Sequence, residues 1–149
     1  MPIDSAGLVV IGGTIATVIA VVFVHYEGLQ FFSNFLPFGR LKPRLQVATL
    51  VCGLLLLHSI EIWIFGFGYY LLLLFPGMGA IEGVVATFAL EDYVYFSATA
   101  YSTLGYGEIY PVGRIRLLTG MEGVTGLLLI TWSASFTYLE MQRYWVKRD

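Results

Sequence analysis

The chain has 149 residues, enough for one domain, and a net charge of -2, which argues against a nucleic-acid partner. It is 58% hydrophobic and 12% charged, against about 25% charged residues in soluble domains, so an ordinary soluble fold is excluded. Its 17 glycines fit a membrane protein. The single cysteine, Cys52, rules out an intrachain disulfide and, set in an apolar run, reads as packing.

Residues 5–24 contain no charge and no histidine, and 20 residues suffice to cross about 30 Å of hydrocarbon as a helix. With no basic residue before the run and no small-residue cleavage site after it, this first span is expected to be retained. Residues 25–44 carry Glu27, Arg40, Lys42 and Arg44 among several phenylalanines. They read as a connecting segment at the membrane surface, either a short interfacial helix or a loop. The second span is expected over about residues 45–70, and Pro76-Gly77-Met78-Gly79 ends its apolar extension. Residues 91–102 begin with Glu91-Asp92, which suit a helix start. About 11 residues of helix reach roughly 16 Å, half a bilayer. A half-length helix followed by an extended return is a re-entrant loop, allowed at membrane depth only inside protein or facing water. The last span covers residues 117–139. The loop at 25–44 and the tail hold six Lys or Arg, the opposite side two. The loop and tail are therefore expected in the cytoplasm and the N-terminus outside.

The re-entrant segment ends in Ala100-Tyr101-Ser102-Thr103-Leu104-Gly105-Tyr106-Gly107-Glu108. This run resembles the pore signature of potassium channels, T-x-x-T-V-G-Y-G-D. Over about residues 45–139 the chain looks most like small prokaryotic two-transmembrane-type pores with one extra N-terminal span. The resemblance implies an all-α membrane protein with three transmembrane helices, a re-entrant pore helix and a selectivity-filter loop. It also implies assembly as a homotetramer in a cell (inner or plasma) membrane. Residues 1–44 would form the first span and cytoplasmic linker, 45–139 the pore domain and 140–149 a short cytoplasmic tail. K⁺ would bind at Thr103, Leu104, Gly105 and Tyr106, with Gly107 closing the filter, and no cofactor is expected. Backbone carbonyls replace the ion's water without a full charge that would trap it, and Gly105 and Gly107 permit the required dihedrals. Tyr95, Phe96, Thr99 and Glu108 are the expected filter support, Tyr106 packing against Tyr95 or Phe96. Leu104 stands for the usual Val and Glu108 for the usual Asp. Tyr95 and Thr99 stand where many members have Trp and Glu, so the clamp behind the filter is altered.

Three ionisable residues fall inside spans. His58 and Glu61, three apart, share a helix face, and Glu122 lies in the last span. Such groups are costly in a membrane and functional by default. Their depths place all three in the outer half of the bilayer, where Glu122 is expected to pair with His58 or Glu61 behind the pore helix. The network is either a packing device or a proton-sensing gate. Gly120, Gly123 and Gly126 recur every three residues; Gly123 or Gly126 is either a close-packing site or a gating hinge. Trp132 either lines the inner cavity or contacts lipid or helix. No span carries the repeated Arg of a voltage sensor, and no nucleophile–base set of an enzyme is present. The expected function is a K⁺-selective channel. The alternatives are a weakly selective cation channel, a K⁺ transporter subunit or a non-conducting accessory subunit.

Overall fold

The computed structural model describes residues 5–35, 42–83 and 89–146. Helix α1 (Ser5–Phe35) and helix α2 (Pro43–Leu73) are followed by strand β1 (Ala80–Gly83) and the 12-residue helix α3 (Leu90–Tyr101). Strand β2 (Ile109–Val112), a 3₁₀ turn (Gly113–Ile115) and helix α4 (Arg116–Val146) complete the order. Three helical segments are long and apolar enough to cross a membrane: Ser5–Asn34, Arg44–Leu73 and Gly113–Arg143. The chain is therefore a multi-pass membrane protein, mostly helical.

One sequence expectation needs correction. The stretch after residue 24 does not leave the helix: α1 runs unbroken to Phe35, 31 residues in all. The polar residues that suggested a surface segment are spaced to let the helix continue. Val21, His25 and Leu29 recur every four residues on one buried stripe. Gly28 presses against α2, where an added Cβ would meet the Leu57 side chain at 2.6 Å. The fold is mostly helical, as expected, with one short strand pair added. β1 and β2 pair antiparallel, with Ala80 opposite Val112 and Gly83 opposite Ile109. The pairing fastens the lead into α3 to the return from it. Gly79 and Gly113 make the approach possible: both have positive φ, and a Cβ on Gly79 would lie 2.0 Å from the Val112 carbonyl oxygen. Arg40, Lys147 and Arg148, used for orientation, lie outside the described residues.

The α2 start and end follow local chemistry. Pro43 occupies the first turn, where its missing N–H costs nothing, behind an extended Lys42. Beyond Leu73 the chain turns through Pro76 and Gly77, the latter at φ 82°. α3 begins where the Ala89 amide donates to Asp92 Oδ2 at 2.8 Å, with Glu91 and Asp92 in its first turn. The buried core joins α2, α3 and α4 through Phe65, Tyr69, Phe96, Tyr101, Leu118 and Leu129. A second cluster of Leu29, Leu50, Leu54 and Leu57 fastens α1 to the lower part of α2. In lipid such packing rests on close approach rather than on escape from water. Gly66 shows it directly: a Cβ there would stand 2.9 Å from the Val94 Cα, so α3 lies backbone-close to α2.

Candidate ion-conducting segment and the buried carboxylates behind it

α3 ends at Tyr101, and the chain folds back on the helix end. The amides of Leu104 and Gly105 both donate to the Thr99 carbonyl, at 2.9 and 3.2 Å, and the Thr103 amide donates to Ala100 O at 3.0 Å. These bonds occupy carbonyls that a helix terminus leaves open. They also hold Thr103 at φ 58°, the one non-glycine in the left-handed region among the described residues. For an L-residue that conformation costs about 1–2 kcal/mol. Gly105 and Gly107 follow at φ 51° and 84°. Positive φ thus falls on residues 103, 105 and 107 and skips 104 and 106. Alternating the sign of φ turns successive peptide planes the same way, whereas an ordinary strand points its carbonyls to alternate sides. Nothing lies within 4 Å of a Cβ built on Gly105 or Gly107, so the backbone angle and not crowding demands glycine there.

The expected supports take specific places. Tyr95 donates its hydroxyl to Glu108 Oε1, tying α3 to the segment's return. This hydrogen bond is the main reason the Tyr95 phenol is raised above its ordinary range. Phe96 is buried, edge-on to Tyr69 with ring centres 5.1 Å apart. Thr99 turns its hydroxyl back to Phe96 O at 2.8 Å, so it supports the segment through its carbonyl and not its side chain. Tyr106 is 67% exposed in the single chain and stacks on neither Tyr95 nor Phe96 of that chain among the described contacts.

The intramembrane carboxylates separate into two sites. Glu122 does not hydrogen-bond to His58 or Glu61. It accepts from Tyr69 of α2 and Ser97 of α3, each at 2.5 Å. Two hydroxyls on the adjacent faces meet its oxygens first. It is indeed braced behind α3, but by neutral donors. Glu61 gathers a different set. Its Oε1 lies 2.8 Å from His25 Nδ1, its Oε2 lies 2.9 Å from His58 Nδ1, and Tyr101 donates to Oε2. Trp132 of α4 packs against the His25 ring with centres 5.2 Å apart, a helix-to-helix contact. His25, His58 and Glu61 each present a ligand atom within 4.8 Å of the others, a grouping able to hold a metal ion.

Four partners went unnoticed in the sequence: His25, Tyr69, Ser97 and Tyr101. A signal existed for two of them, because Ser97 and Tyr101 stand four apart on one face of α3. His25 was masked by its place at the edge of the charged stretch. Gly126 proves to be a contact position: a Cβ there would lie 2.2 Å from Tyr101 O. Gly123 has looser surroundings, with Ala100 O at 3.6 Å, and α4 is continuous through both.

A family model described as an ion channel matches residues 57–142, more than half of the 149-residue chain. The match takes in His58, Glu61, α3, the 103–107 segment and Glu122, and leaves His25 and the whole of α1 outside. Comparison with curated proteins and with solved structures gives no match. Three spanning helices, a half-length helix returning through Thr103 to Gly107, and this match together place the chain in the ion channel family of two-transmembrane K⁺ channel pores.

Proposed function

We propose that the protein is a K⁺-selective channel in which four copies of the chain place their 103–107 segments around one axis. The observation that carries this reading is the alternation of positive φ at Thr103, Gly105 and Gly107 directly beyond the end of α3. The alternation lets the carbonyls of Thr103, Leu104, Gly105 and Tyr106 face one side, with the Thr103 hydroxyl as an innermost oxygen. α3 serves as the pore helix, its negative C-terminal end favouring a cation. Exposure of Leu104 and Tyr106 in the single chain, 57% and 67%, fits a segment completed by neighbouring copies. Residues 45–139 form the pore domain, the N-terminus and the filter face outward, and the short tail is cytoplasmic. Passive flow down the electrochemical gradient needs no cofactor.

The test is K⁺ flux into liposomes holding the purified protein, with Tyr106→Ala as control. Flux in the parent and its loss in the variant are expected. Absence of flux in the parent points instead to an accessory subunit. Bi-ionic K⁺/Na⁺ reversal potentials address the second reading, a weakly selective pore, which the unusual Tyr95–Glu108 clamp favours. Equal permeabilities overturn K⁺ selectivity.

A further inference from the structure

We propose that His25, His58 and Glu61 form a binding site for a divalent transition-metal cation of the Zn²⁺ class, clipping α1 to the family-matched part of the chain. Two spans supply the ligands, and one ligand atom from each residue falls within 4.8 Å of the others. His25 and Glu61 are fully buried, and the His58 side chain is 15% exposed.

The hydrogen bonds around Glu61 are crowded in a telling way. His58 Nδ1 lies 2.9 Å from Glu61 Oε2 and 2.9 Å from the Tyr101 hydroxyl, while that hydroxyl also reaches Glu61 Oε2. Three short edges join three atoms. The phenol has one proton and a ring nitrogen at most one, so at most two protons serve these three edges. Nitrogen and oxygen donors packed this closely lie within reach of one cation's coordination sphere. His25 Nε2 is buried with no hydrogen-bond partner, although the other nitrogen contacts Glu61. The Nδ1 atom is the one that faces the cluster.

The donor set chooses the ion. Two imidazoles and one carboxylate suit Zn²⁺ and its transition-metal neighbours, whereas Ca²⁺ and Mg²⁺ demand oxygen cages. Bonds of about 2.0–2.2 Å in a tetrahedron separate donors by roughly 3.3 Å. The contacts of 2.8 and 2.9 Å therefore open by about half an ångström on binding. The Tyr101 hydroxyl lies beside two of the three ligands, 2.9 Å from His58 Nδ1 and bonded to Glu61 Oε2. The Glu61 charge offsets half of the ion's charge, and the C-terminal end of α3 at Tyr101 adds negative potential.

The full-length protein, purified in detergent and stripped with a chelator, is titrated with ZnCl₂, with CaCl₂ and MgCl₂ as controls. Bound metal is counted by mass spectrometry and the thermal midpoint is followed. One zinc per chain and a rise of the midpoint with zinc alone are expected, because a ligand that binds only the folded state stabilises it. His25→Gln and His58→Gln should each weaken binding by at least the ~10–100-fold that loss of a supporting residue costs. Cys52→Ser, which removes the exposed thiol, should bind as the parent does. A parent chain that takes up no zinc beyond the calcium and magnesium controls overturns the proposal without recourse to any variant. So does undiminished binding in both histidine variants, or loss of binding in Cys52→Ser.

Discussion

Glu61 and Glu122 are both fully buried carboxylates behind the 103–107 segment, yet they are held in opposite ways. Glu122 meets only hydroxyls, from Tyr69 and Ser97, and knits α2, α3 and α4 together. Those three helices lie mostly within the family match. Glu61 meets two imidazoles and a phenol and reaches α1 through His25, outside that match. The comparison teaches that the family-matched part braces itself with hydroxyl donors. The added span is attached by groups that can also bind a metal.

The largest effect is expected at Glu61. Glu61→Ala leaves His25, His58 and Tyr101 without the acceptor they share, three buried polar groups at about 1–3 kcal/mol each. Thermal unfolding in detergent should show this as a steep drop in midpoint, with α1 loosened first. Glu122→Ala strands two hydroxyls. At about 1–3 kcal/mol per unsatisfied buried group, it should cost less than Glu61→Ala and leave the attachment of α1 intact. Protease sensitivity of the segment between α1 and α2 separates the two. If Glu122→Ala frees α1 as readily as Glu61→Ala, the two sites are one network after all.

A smaller, matched pair tests the packing that surrounds the carboxylates. Gly126→Ala drives a methyl onto the Tyr101 carbonyl, whereas nothing lies within 4 Å of a Cβ on Gly120. Overpacking of this kind costs about 1–3 kcal/mol. Gly120→Ala should be neutral or stabilising by up to about 1 kcal/mol, through helix propensity. Equal midpoints for the two variants would show that α4 slides freely past α3 and that Gly126 is not a contact.

The spans and the segment from Thr103 to Gly107 were legible because they rest on local rules: apolar length, a half-length helix and glycines where φ is positive. Wherever a side chain had to choose among partners on other helices, the sequence was less informative. Glu122 could be placed behind α3 but not given Ser97 and Tyr69, because both are common helix-surface residues whose neighbours depend on packing. His25 was misassigned for a related reason. A histidine followed by Glu27 looks like the end of a span, and only its four-residue step from Val21 shows that the buried stripe continues. The β1–β2 pairing was invisible because four-residue strands containing Pro111 and Gly83 carry no alternating pattern, and the close approach of Gly79 to Val112 that aligns them is a tertiary event.

The smallest expected effect is at the surface, where Tyr95 and Glu108 tie α3 to the return of the segment. Both are exposed in the single chain, so Tyr95→Phe should leave the thermal midpoint nearly unchanged. Its consequence belongs to the segment itself, which loses a tether on its outer end. Single-channel openings of Tyr95→Phe should therefore be shorter than those of the parent. The pH dependence follows from the direction of the Tyr95 shift. The hydrogen bond to Glu108 is its largest cause, and it raises the phenol above the ordinary value of about 10. A raised group keeps its full contribution below the ordinary value and loses it as pH climbs through the raised one. Parent and variant should thus differ by a constant amount from neutral pH to about pH 9, and converge only in stronger alkali, where the parent's phenol ionises beside a carboxylate. A difference that instead vanishes near neutral pH would assign the tether's control to another group and leave Tyr95 a bystander.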